Sequence, residues 1–148
     1  MKKKPHVLVI DDEPEIRDIL RIMLDRGGFE TTLSEDGDDA LLKLSQRKFD
    51  IVVCDYLMPK MNGISLLKKV VANNDYTPFV FFSGNSDESK GLEMIGLGAY
   101  ETLPKTQINK LVNVLIKTLK LDESLKNIDG NINEESDDFL KILHSTGF

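Results

Sequence analysis

Apolar positions along the chain switch repeatedly between two spacings. A short apolar run at 6–10 is followed by Pro14 and then by Ile16, Ile19, Leu20, Met23 and Leu24, which fall on one face of a helix that Gly27 and Gly28 stop. Residues 29–33 predict a second strand, and Ala40, Leu41 and Leu44 set the apolar face of a second helix ending near residue 48. The pattern then repeats, with continuous apolar strands at 51–54 and 79–82 and helical spacing at 64–72 and around 92–97. A weaker fifth strand at 100–103 leads into Ile108, Leu111, Val112, Leu115 and Leu119, spaced as the face of a final helix.

Strands alternating with helices through short connections predict an α/β fold. Parallel strands need crossovers, each crossover is right-handed, and strands that are apolar throughout belong to a sheet covered on both faces. The expected fold is a doubly wound, flavodoxin-like five-stranded parallel sheet of order 2-1-3-4-5. In such a sheet ligands gather at the carboxyl ends of the strands where the order reverses, here between the first and third strands.

Composition bounds the rest. With 148 residues, 41% hydrophobic and 30% charged, the chain has the length of one ordinary domain plus a short appendage, and no apolar run approaches the ~18 residues of a membrane span. The basic start at 1–4 is followed by too few apolar residues for a signal peptide, so a cytoplasmic chain without membrane attachment is expected. The lone Cys54 sits in an apolar run and reads as a small buried side chain. Charge is uneven: residues 122–148 hold seven acids and two lysines, which leaves residues 1–121 with a net −1 of the total −6. A near-neutral body without a basic stripe argues against direct nucleic-acid binding by counterion release.

Polar residues stand at the predicted strand ends: Asp11, Asp12 and Glu13 after the first, Asp55 after the third, Ser83 after the fourth and Lys105 after the fifth. Adjacent strands lie about 4.8 Å apart, so Asp12 and Asp55 would share one space and repel. A hard cation removes that conflict, and Mg2+ suits it because it accepts a few carboxylate oxygens together with waters and phosphate oxygens. An ionised aspartate can attack phosphorus to form an aspartyl phosphate, and the Lys105 ammonium and Ser83 hydroxyl could meet the remaining phosphoryl oxygens. Singly each residue has a plainer explanation: the acids before Pro14 could favour a helix N-terminus, Asp55 could form a turn, Ser83 could start a helix and Lys105 could be solvated. Those explanations leave the recurrence of all four on one rim unaccounted for.

With those residues in place, the chain resembles the receiver domain of two-component response regulators, of the chemotaxis-regulator-like kind. The resemblance is carried by Val9-Ile10-Asp11-Asp12-Glu13, by Val53-Cys54-Asp55-Tyr56-Leu57-Met58-Pro59-Lys60-Met61-Asn62-Gly63, by Ser83-Gly84 and by Lys105, and covers about 6–121. It implies a histidine kinase or histidine phosphotransfer protein as donor and Asp55 as phosphoacceptor. It also implies Mg2+ held by Asp12, Asp55 and the Leu57 backbone carbonyl, with Asp11 acting through water, and Ser83 and Lys105 as phosphoryl contacts. Three positions depart from the family pattern. Pro104 precedes Lys105 where the family places a proline after the lysine. Thr102 occupies the place of the switch aromatic that Ser83 would couple to, with Tyr100 two residues earlier on the same strand face. Leu57, with Asn85 two past Ser83, flanks the path of an attacking water that an apolar side chain cannot orient, so slow self-dephosphorylation is expected.

Beyond residue 121 the final helix is expected to continue through Leu125 and Ile128 to a stop at Gly130. A short helix is expected at 134–144, with Phe139, Leu140, Ile142 and Leu143 on its apolar face. The division expected is a receiver domain at 1–121 and an acidic helical extension at 122–148. The expected function is a single-domain response regulator, not an enzyme beyond catalysing its own phosphorylation and dephosphorylation, that controls a downstream protein target. A homodimer through the last strand and helices is left open. A phosphatase of the haloacid dehalogenase type would need two aspartates separated by one residue after the first strand, and Asp11 and Asp12 are contiguous. A degenerate, binding-only receiver is opposed by the intact acids, serine and lysine.

Overall fold

The computed structural model describes residues 3–84 and 88–129. Strands β1 (His6–Ile10), β2 (Glu30–Ser34), β3 (Ile51–Cys54), β4 (Phe79–Ser83) and β5 (Glu101–Pro104) form one parallel sheet of order β2-β1-β3-β4-β5. Helices α1 (Pro14–Arg26), α2 (Gly37–Gln46), α3 (Gly63–Ala72), α4 (Glu88–Gly96) and α5 (Leu111–Asp129) connect and flank it, with a 3-10 segment, Lys105–Lys110, before α5. The expected doubly wound α/β fold and strand order are what is found.

Strand alternation divides the core in two. Leu8, Ile10, Val52, Cys54, Phe79 and Phe81 face one layer with Leu66, Leu67 and Val70 of α3. Val7, Val9, Ile51, Val53, Val80, Phe82 and Leu103 face the other with Leu20 and Leu24 of α1 and Leu111 and Leu115 of α5. Each such aliphatic or aromatic side chain, once buried, contributes about 1.5–3 kcal/mol, and the polar residues of the central strands, His6 and Ser83, stand only at strand ends.

Element ends shift slightly from the expected ones, for local reasons. Phe29 spends its N–H on the Leu24 carbonyl (2.9 Å), closing α1, so pairing of β2 starts at Glu30. Helix α2 stops at Gln46 because Arg47 turns to extended backbone (φ −154°), its guanidinium bonding His6 Nδ1 and lying 5.3 Å from the Phe49 ring centroid. Pro104 has no N–H to give a ladder and is accommodated at the end of the edge strand β5. The α5 helix runs unbroken across residue 121. Asn85, the stop at Gly130 and the helix expected at 134–144 lie outside the described residues. Among the described residues no helix is long and apolar enough to cross a membrane.

Candidate functional site

The register brings the singled-out residues together. Ile10 pairs with Cys54, so Asp11 and Asp55 are each one residue beyond paired neighbours, and the Asp55 N–H extends the ladder to the Ile10 carbonyl at 2.9 Å. Ser83 ends β4 opposite Pro104, the residue before Lys105. From the far side of the sheet Lys105 reaches back: its Nζ lies 2.9 Å from Asp11 Oδ2 and 3.2 Å from Asp55 Oδ2. Asp11, Asp12 and Asp55 each offer a carboxylate oxygen within 4.8 Å of the others. Asp11 and Asp55 are buried, whereas Asp12 is more open.

Three carboxylates against one ammonium leave the pocket with excess negative charge. Burial first, and then the neighbouring Asp11, push the Asp55 carboxyl above its ordinary value, against the pull of Lys105. Burial alone would lower the Lys105 pKa, but the Asp11 and Asp55 carboxylates outweigh it and hold the ammonium above the usual lysine range, so it stays charged. Asp11 Oδ2 is fully buried, and the Lys105 ammonium at 2.9 Å is its neighbour of opposite charge. Three clustered carboxylates sharing one ammonium, an all-oxygen set with surplus negative charge, fit a hard divalent cation such as Mg2+.

Neighbouring residues fix these groups. Glu13 N–H donates to Asp11 Oδ1 (2.9 Å), which commits that oxygen and leaves Oδ2 for the pocket. The Asp55 carbonyl accepts the Cys54 thiol (3.1 Å) and lies against Gly63, where an added Cβ would sit 2.7 Å from it and 2.5 Å from the Phe81 ring. Burial, with Asp55 and Asp11 nearby, drives the Cys54 thiol well above its ordinary pKa, so it is inert. Asn62 caps α3 by accepting Ser65 N–H (2.8 Å), and Lys60 in the same loop has φ 71°. Leu57 lies in this loop, two residues beyond Asp55, with its side chain exposed.

Two further positions contact the flanking helices. Thr102 packs against α4, its Oγ1 3.2 Å from where a Gly91 Cβ would be. Tyr100 precedes β5, and its hydroxyl donates to the buried Asp122 of α5 (2.8 Å), whose other oxygen pairs with Lys126 (2.9 Å). Sequence reasoning missed this link, since an aspartate beyond the expected domain edge gave no sign of burial. It also missed Arg17, whose spacing of four from Glu13 suggests a helix-surface ion pair; its Nη1 instead donates to the Asp11 carbonyl (2.7 Å).

A family model described as the response regulator receiver domain matches residues 7–116. The chain belongs to this family. It is 38% identical over 105 residues to the transcriptional regulatory protein FixJ of Bradyrhizobium diazoefficiens, covering 71% of this chain and 51% of FixJ. It thus spans about half the length of that relative. The receiver domain of Francisella response regulator 1452 superposes with a TM-score of 0.75 at 30% identity, covering 79% of this chain and 98% of that one. The response regulator TrrA of Thermotoga maritima, solved in complex with Mg(2+)-BeF, superposes with a TM-score of 0.69 at 26% identity, covering 78% of this chain and 98% of its own. In this receiver domain the strand-end rim gathers three clustered carboxylates, Asp11, Asp12 and Asp55, with the Lys105 ammonium paired to two of them.

Proposed function

We propose that Asp55 is the phosphoacceptor and that the chain relays its phosphorylation state to a protein partner. The observation that carries this is the Lys105 ammonium bridging Asp11 and Asp55 at the ends of β1 and β3, beside an oxygen set suited to a cation. A histidine kinase or histidine phosphotransfer protein is the donor. An Asp55 oxygen attacks phosphorus, the P–N bond to the donor imidazole breaks, and the imidazole leaves with the bonding electron pair. Asp12, Asp55 and the Leu57 carbonyl would hold Mg2+, with Asp11 through water, and the ion would supply charge neutralisation for the carboxylates and incoming phosphoryl oxygens. Lys105 keeps its charge and pairs with a phosphoryl oxygen, while the Ser83 hydroxyl donates to another. The protein acts on no substrate beyond its own phosphorylation and dephosphorylation, and works in the cytoplasm, where ATP-fed kinases act.

The switch involves Ser83, Thr102 and Tyr100, with Thr102 against α4 and the Tyr100 hydroxyl bonded to Asp122 of α5. The output surface is the face of α4, β5 and α5, which leaves Leu92 75% exposed and offers a contact for a partner or a second copy of the chain. Incubation with acetyl phosphate and Mg2+ is expected to add one phosphoryl group to wild type, seen by intact mass, and none to Asp55→Asn or to wild type with a chelator. No mass gain in wild type would sink the proposal. Leu57 offers no group to orient water, so the phosphorylated form should persist, and Leu57→Asn is expected to speed its decay.

A further inference from the structure

Helix α1 begins without a side-chain cap, and Glu13, at its N-cap position, contributes only backbone. The backbone of segment 11–13 is anchored at its ends by the Asp11 N–H on the Ser34 carbonyl (3.1 Å) and by the Glu13 carbonyl accepting the Arg17 N–H (3.1 Å), and two side-chain bonds shape it in between. Asp11 Oδ1 accepts Glu13 N–H at 2.9 Å, and the Asp11 carbonyl accepts Arg17 Nη1 at 2.7 Å. Arg17 is half-buried one turn into α1, and among the described residues it forms no ion pair. An arginine that forgoes carboxylate partners for a neutral carbonyl is fixing backbone. The peptide so fixed joins Asp11 to Asp12, two of the three clustered carboxylates.

We infer that Arg17 is a positioning residue for the acidic site: by clamping the Asp11 carbonyl it sets the Asp11–Asp12 peptide and aims both carboxylates at one divalent cation. The inference rests on the phosphoacceptor function proposed above. Charge alone would act in the opposite direction, because removing a cationic side chain near the pocket strengthens binding of another cation. Positioning and charge therefore predict opposite signs for the same substitution.

The test uses the full chain as wild type, Arg17→Met, Arg17→Gln and Arg17→Lys. Mg2+ affinity is measured by calorimetry, hydrogen exchange of the Glu13 amide without metal, and acetyl phosphate-driven phosphorylation across Mg2+ concentrations. Arg17→Met is expected to weaken Mg2+ binding about tenfold, as loss of a group orienting a metal ligand does. Its Glu13 amide should exchange faster, its phosphorylation should recover at high Mg2+, and Arg17→Lys should regain part of the loss. The glutamine variant gives the same reading should the methionine variant not fold. Unchanged or tighter Mg2+ binding in the folded variants, with wild type binding and phosphorylated normally, overturns the role of Arg17 alone. Absence of Mg2+ binding and phosphorylation in wild type overturns the proposed function and this inference with it.

Discussion

Gly63→Ala sets two simple arguments against each other. Gly63 is the first residue of α3, and its backbone lies outside the left-handed region, so helix propensity alone expects alanine there to stabilise by up to about 1 kcal/mol. Packing says otherwise. The new Cβ would stand 2.5 Å from Phe81 Cε1 and 2.7 Å from the Asp55 carbonyl oxygen. These fall short of ordinary contact by roughly 0.9 and 0.7 Å, and neither neighbour can yield freely. Phe81 is 1% exposed beside Phe79, and Asp55 is fixed by its N–H on Ile10 and by the Cys54 thiol on its carbonyl. Overpacking of this kind costs about 1–3 kcal/mol, so after the propensity gain a net loss of about 1–2 kcal/mol is expected, lowering Tm by about 3–6 °C. The strain falls on the backbone of Asp55, the proposed phosphoacceptor, and a displacement approaching ~1 Å can slow chemistry about 100-fold. Urea and thermal unfolding, paired with the acetyl phosphate reaction, measure both. A variant as stable as wild type and phosphorylated at the same rate would refute the packing argument.

Other expectations follow from the pocket charges and buried polar pairs. Because burial and Asp11 raise the Asp55 pKa in the folded state, its contribution to metal-free stability is full below the ordinary carboxylate value and is lost as pH rises through the folded value. Asp55→Asn should abolish that fall and exceed metal-free wild type in urea unfolding at pH 7; equal stability would count against a repulsive pocket. Mg2+ at about ten times its Kd should stabilise wild type by about 1.4 kcal/mol, and no rise in Tm would contradict the fit. His6 is buried, with Nε2 2.6 Å from Thr32 Oγ1 and Arg47 on Nδ1, and burial first, then Arg47, hold its pKa below 6.5. Its stabilising neutral form is fully present above 6.5 and is lost as pH falls through the lowered value, so an NMR titration of the His6 ring with its midpoint at or above 6.5 would be inconsistent with this environment. Tyr100→Phe leaves buried Asp122 with Lys126 alone and should cost about 1–2 kcal/mol, with faster hydrogen exchange near Asp122; unaltered exchange there would show the link to be dispensable.

The sequence alone determined the sheet, its strand order and the rim. Periods of two and 3.6, Gly27-Gly28 and the apolar strand runs are local signals, and parallel topology converts strand ends into neighbours without further information. Asp11, Asp12, Asp55, Ser83 and Lys105 could therefore be placed on one edge before any coordinates, although residues 11 and 105 are far apart in the chain. Tertiary structure decided what depends on how side chains meet. The Gly63 contact needs Phe81 from another strand, the Arg17 bond depends on the turn after β1, and Tyr100 reaches Asp122 only because α5 continues past residue 121 and lies beside the start of β5. Periodicity fixes which way a residue faces along its own element, but which partner it finds is set by rotamer, loop path and crossing helices, and those are resolved only when the whole chain packs.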